Sequence, residues 1–181
     1  MSSEWQTFLL AMIPLGELRV SIPLALAAYN LNWFSSYFIS VIGNLVPVIF
    51  LLRFLDPISS WLSKSSKIFQ QFFSWLFERT RKKYSHQVKK YGSLALVSFV
   101  AIPLPFTGGW TGSLIAFLFG IPFKVAFPLI ALGVMIAGAI VLIATQLGIA
   151  IEKYFGWPTL FLIFFLLGFI YLMVKIFRKN K

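Results

Sequence analysis

Two long apolar stretches of this chain are broken near their middles by proline and glycine, and a helix cannot run through such a break cheaply. The first, Trp5 to Tyr29, contains Ile13-Pro14-Leu15-Gly16-Glu17-Leu18-Arg19-Val20-Ser21-Ile22-Pro23. The second, Tyr91 to Gly120, contains Ile102-Pro103-Leu104-Pro105-Phe106-Thr107-Gly108-Gly109-Trp110-Thr111-Gly112. An internal proline removes one backbone hydrogen bond and clashes with the preceding turn, and glycine adds its own entropic cost. Each half is then long enough to reach only about the middle of a bilayer at about 1.5 Å per residue. The pattern predicts two re-entrant helix–loop–helix hairpins.

Three other stretches, Trp33 to Leu55, Pro122 to Gly148 and Trp157 to Phe177, are long enough to span a hydrocarbon core of about 30 Å as helices. Gly43, Asn44 and Pro47 near the middle of the first favour a kink or a freed carbonyl there. Composition supports a membrane setting: of 181 residues, 59% are hydrophobic and 12% charged, where soluble domains carry about a quarter charged. Disordered chains are poor in such residues, so disorder is excluded. The absence of cysteine removes disulfide scaffolds, thiolate metal sites and thiol nucleophiles. The expected fold is an all-α integral membrane domain covering residues 1–181, with no room for a separate soluble domain.

The net charge of +11 reads as a topological label rather than as a nucleic-acid footprint. Nine Lys and Arg lie between Arg53 and Lys90, and Lys175, Arg178, Lys179 and Lys181 close the chain. If the second interrupted stretch turns back, 14 of the 16 basic residues face the cytoplasm, Lys153 lies outside and Arg19 stays within the membrane. A full crossing would instead put the basic tail outside. Charge parity thus favours the hairpin and a cytoplasmic C-terminus.

A shift of 89 residues superimposes Ile13-Pro14-Leu15 on Ile102-Pro103-Leu104, and each interrupted stretch precedes a spanning helix. Hairpin followed by span, entered from opposite sides, is an inverted-topology repeat, which places transport sites near the midplane. The first repeat covers about 4–55 and the second about 91–148, followed by a C-terminal helix at 157–177. Between the repeats, the linker 56–90 carries apolar residues at spacings of three and four from Ile58 to Leu76, which predicts an amphipathic helix on the cytoplasmic interface. Arg79 to Lys83 read as topology and anionic-lipid contact. His86 has no second His or Cys to share a metal with, so neither a metal site nor a cofactor is expected.

Glu17 and Arg19 are the ionisable residues predicted deepest in the membrane. Charged groups there cost about 2.5 to 3.5 kcal/mol each on insertion scales, which makes them functional candidates. A carboxylate whose protonation depends on its surroundings can load and release a proton. Arg19 can hold an anionic phosphate by forked hydrogen bonds. The alternative is a structural Glu–Arg pair at the hairpin tip, although residues two apart share no helix face. The second tip offers amides of Gly108 and Gly109, hydroxyls of Thr107 and Thr111 and the Trp110 indole, with Thr111 or a neighbour as a helix cap. Close helix packing explains its glycines equally well. The small pairs Gly133/Ala137 and Ala144/Gly148 read as helix contacts, within the protomer or across a homodimer.

The run Glu17-Leu-Arg-x-Ser-Ile-Pro23, together with Pro103-Leu-Pro-x-Thr-Gly-x-Trp-Thr-Gly112, resembles the small multidrug export proteins, a family that looks related to the DedA/VTT membrane proteins. Phe106 departs from the small residue that the pattern favours. The resemblance implies two opposed hairpins, and DedA relatives are implicated in flipping lipid carriers such as undecaprenyl phosphate. It implies proton coupling at Glu17 and an anion contact at Arg19; Ser21, Pro103, Pro105, Thr107, Gly108, Gly109, Trp110 and Thr111 are the further substrate-contact candidates. The expected function is a small proton-coupled secondary transporter or lipid flippase of a prokaryotic cytoplasmic membrane. Its partners would be membrane lipid, protons and an amphiphilic or anionic small molecule. An ion channel or a non-transporting scaffold is the alternative. No nucleophile–base pair or metal cluster supports an enzyme.

Overall fold

The computed structural model describes residues 1–14, 16–68, 70–72, 74–75, 78, 94–104 and 107–179, and from 151 onward it describes the backbone and Phe165. The described residues form helices and connecting turns: α1 (Ser3–Met12), α2 (Glu17–Ala27), α3 (Trp33–Ser65), α4 (Gly109–Phe119) and α5 (Phe123–Lys179). Residues 94–101 are also helical. The chain divides into two units, Met1–Leu142 and Ile143–Lys181.

In the first unit the two breaks share a local cause. The residue before a proline is pushed out of the helical region by the proline ring. Ile13, before Pro14, is extended (φ −76°, ψ 132°) and ends α1. Ala101 is the last helical residue before Ile102-Pro103. The first break is shorter than predicted, because the helix resumes at Glu17 and carries Pro23 inside it. Pro23 takes away the amide that would have bonded the Arg19 carbonyl. A short turn containing Asn30 at φ 52°, a conformation asparagine tolerates, leads from α2 to α3. The Asn32 side chain caps α3 by accepting from the Ser35 amide at 2.8 Å.

α1 and α2 pack against each other and against α3, and α4 packs on α3. Gly43 sets the α1–α3 distance, since a Cβ there would lie 2.6 Å from the Phe8 carbonyl oxygen. Gly133 brings α5 against residues 94–101 in the same way: its Cβ would lie 2.7 Å from that of Val100. This is a contact within the protomer, whereas Gly148 has open space around it. The Tyr37 hydroxyl donates to the Met135 carbonyl at 2.9 Å, tying α3 to α5. The core between these helices contains Leu18, Ile22, Val41, Val48, Leu96, Val100, Ile130 and Val134.

Two helical stretches, Trp33–Ser65 and Phe123–Ala150, are long and apolar enough to cross a membrane. Only 33% of the most apolar part of each is buried, whereas a core helix of a soluble protein is mostly buried. On α3 the outward residues include Phe34, Phe38, Ile42, Ile49, Phe50 and Phe54, an apolar face too large for water. Such a face suits the hydrocarbon core of a membrane.

Two expectations need correction. α5 continues to Lys179, without the turn expected between Gly148 and Trp157. The helix carries Gly148, Gly156 and Pro158 inside it. Charge parity counted two crossings there, so it no longer determines the side of the tail. The interfacial helix is also divided. Residues 57–65 belong to α3, and Ser66 is extended before helix resumes at residue 67. The basic run Arg79 to Lys83 and His86 lie outside the described residues.

Candidate functional site

The two breaks meet. α2 begins at Glu17, whose side chain is 6% exposed and whose backbone is left-handed at φ 45°. For a residue with a Cβ this conformation costs about 1–2 kcal/mol. The Glu17 carboxylate lies at the amino end of α4, with Oε1 3.5 Å from the Trp110 backbone nitrogen. α4 starts from Gly108, which makes no side-chain cap. The acidic group thus supplies from another segment the negative charge that a helix amino end favours. Thr111, expected as a cap, is instead the third residue of α4.

Gly108 makes this approach feasible. Its φ of 147° and ψ of −166° lie in a region open essentially to glycine, and a Cβ would collide with the Glu17 carboxylate. The next residue, Gly109, lies against Asn44 of α3, where a Cβ would be 2.6 Å from Asn44 Oδ1. Glu17 and Asn44 therefore flank consecutive glycines of the second break.

Arg19, in the first turn of α2, reaches the same break. Its Nη2 donates to the Thr107 carbonyl and to Thr107 Oγ1, the latter at 3.0 Å. Thr107 is itself the knot of its loop: Oγ1 accepts from the Leu104 amide at 3.0 Å and lies 2.6 Å from the Ile102 carbonyl. Glu17 and Arg19 thus turn to different parts of the second break rather than to each other.

The last turn of α1 is satisfied from outside as well. The Trp110 indole N–H donates to the Met12 carbonyl at 3.1 Å, and Asn44 Nδ2 donates to the Ala11 carbonyl at 3.2 Å. Helix ends without such partners would leave bare carbonyls. The sequence reading placed Asn44 only at a kink. An amide in the middle of an apolar span was the available signal that it belonged to a site.

These groups enclose a cavity of about 10 Å³, lined by Glu17, Arg19, Asn44, Pro103, Gly108 and Gly109 together with apolar residues of α5. That is space for about one water molecule. Of the other expected contact residues, Ser21 is fully buried one turn beyond Glu17. Thr107 and Trp110 are engaged in the bonds above, and Pro105 lies outside the described residues. Among the described residues no three His, Cys, Asp or Glu converge on a point where a metal ion could be held.

A family model described as "Putative small multi-drug export protein" matches residues 17–140, from Glu17 itself through α4 and into α5. No curated protein and no solved structure matches the chain. The match covers more than half of the sequence and contains every residue lining the site except Val141, so the chain belongs to this export-protein family.

Proposed function

We propose that this protein is a small proton-coupled secondary transporter or lipid flippase, moving an amphiphilic substrate between the two broken helical segments. Glu17 carries the proton, and Arg19 with the amides of the second break holds an anionic headgroup. The observation that carries the reading is the engagement of Glu17 and Arg19, both from the first break, with Trp110 and Thr107 of the second. Two charged side chains bridging two broken helices form a coupling point, because a change in either charge alters how strongly the breaks hold together. In this reading the two segments are re-entrant hairpins of an inverted repeat, as in DedA-type proteins, in a prokaryotic cytoplasmic membrane with the C-terminus inside.

A cavity of about 10 Å³ admits no amphiphile. The arrangement is then the closed state, and transport requires the breaks to part. Protonation of Glu17 removes the charge that favours the α4 amino end, and a phosphate competing for Arg19 releases Thr107. The test is uptake by full-length protein in liposomes under imposed pH and voltage gradients, with a polyprenyl phosphate and a lipophilic cation as competing substrates. Gradient-driven uptake that is lost in Glu17→Gln and Arg19→Ala is expected. Undiminished uptake by these variants overturns the site assignment.

One observation favours a second reading. Glu17, Arg19, Trp110 and Asn44 each already have a partner or a satisfied helix end, as in a structural clasp. A non-transporting scaffold would show no flux under any gradient, and a channel would show flux independent of coupling.

A further inference from the structure

α2 and α3 form an antiparallel pair joined by the short turn at residues 28–32, and Glu17 and Asn44 lie side by side at its far end. One helical turn toward the connecting turn, the same pair presents Ser21 on α2 and Ser40 on α3. Another turn on, α3 presents Ser36. Ser21, Ser36, Ser40 and Asn44 are all fully buried.

A buried serine in a helix ordinarily donates to the carbonyl four residues back. Ser36 does so to the Asn32 carbonyl at 2.8 Å and Ser113 to the Gly109 carbonyl at 2.7 Å. Ser21 and Ser40 do not. Their hydroxyls, and the Asn44 Oδ1 beside the Glu17 carboxylate, have no hydrogen-bond partner among the described residues. Each such group buried dry costs about 1–3 kcal/mol, and native structures relieve the cost with ordered water. Three orphaned oxygens lie on two paired helices, at Asn44 itself and one helical turn along from Asn44 and from Glu17. Water with two to four polar partners satisfies all of them, while apolar packing satisfies none.

We propose that Ser21, Ser40 and Asn44 hold a short file of water between α2 and α3 that leads from the Ser36 end of the pair to the Glu17 carboxylate. The file is a binding site for water in its own right. On the reading of Glu17 as a proton carrier, it is also the route by which protons reach that carboxylate while the cavity at the breaks stays closed to substrate.

The natural absence of cysteine gives the test a clean background. Ser40→Cys and, separately, Ser21→Cys are made in the full chain and reconstituted into liposomes. They are exposed to silver ion, a water-borne thiolate probe small enough for a single file, and after denaturation the remaining thiols are counted with a maleimide mass tag. Ile42→Cys on the outward apolar face of α3 is the control. Only a hydrated thiol ionises and binds the metal readily, so both serine positions should react at least about tenfold faster than position 42. Monodisperse elution before reconstitution shows that a variant is folded, and the two serine positions stand in for each other if one fails. Protection of the folded variants to the level of Ile42→Cys overturns the proposal. Fast reaction combined with uptake unaffected by Glu17→Gln leaves the water file standing and overturns the coupling role of Glu17 instead.

Discussion

The carboxylate of Glu17 faces the backbone N–H of Trp110 at the amino end of α4, 3.5 Å away. At that distance the contact is more charge against helix dipole than a close hydrogen bond. Glu17→Gln preserves shape and removes charge, so the cost in thermal unfolding should be small, about 0.3–1 kcal/mol. Gradient-driven uptake should fall to background in the same variant. Comparing the unfolding midpoint in detergent with uptake in liposomes separates the two effects, and a large stability loss would make Glu17 primarily structural.

Arg19 is the second link between the breaks, and a single nitrogen, Nη2, donates both bonds to Thr107. Arg19→Ala should free the loop around residues 102–107 at a cost of about 1.5–3 kcal/mol, the range for bonds to a charged group. Arg19→Lys should recover only part of this, since the ammonium is more strongly hydrated and sits on a flexible stem that does not reproduce the position of Nη2. Hydrogen exchange of the Leu104 and Thr107 amides is the direct measurement, with the order alanine fastest, lysine intermediate and wild type slowest.

Glycine substitutions should divide sharply by position. Gly108→Ala meets both a glycine-only conformation and the Glu17 carboxylate, so a loss of about 3 kcal/mol or more, or failure to fold, is expected. Gly148→Ala meets open space on a helix and should be neutral or stabilising by up to about 1 kcal/mol. Monodispersity and thermal unfolding of the two variants side by side decide this.

Trp110→Phe retains the ring and removes the indole donor to the Met12 carbonyl. Its cost should be about 1 kcal/mol, with faster opening of the last turn of α1. Tyr37→Phe, which loses the bond to Met135, should cost a similar amount without touching the breaks or uptake.

The places where the helices stop were legible locally. Ile13-Pro14 and Ile102-Pro103 end their helices because proline restricts the residue before it, a rule that acts between neighbours. The length and apolar character of α3 and of Phe123–Ala150 were equally legible, because spanning a bilayer is a matter of residue count and hydropathy. The turn expected between the apolar stretches ending at Gly148 and beginning at Trp157 is not formed, and the helix runs through both. Pro23 was read as part of the first break and lies within α2, where surrounding packing outweighs one lost hydrogen bond.

By itself, then, the sequence determined that this chain is a helical membrane protein with two broken segments, and that Glu17 and Arg19 are costly enough there to merit a function. Only the tertiary structure decided their partners. Glu17 meets the amino end of a helix 93 residues away in the chain, and Arg19 meets Thr107 rather than its own near neighbour. Asn44 became part of the site because Gly43 and Gly109 let three segments approach it. Such meetings depend on which helix faces come together in packing, and no local spacing rule encodes that.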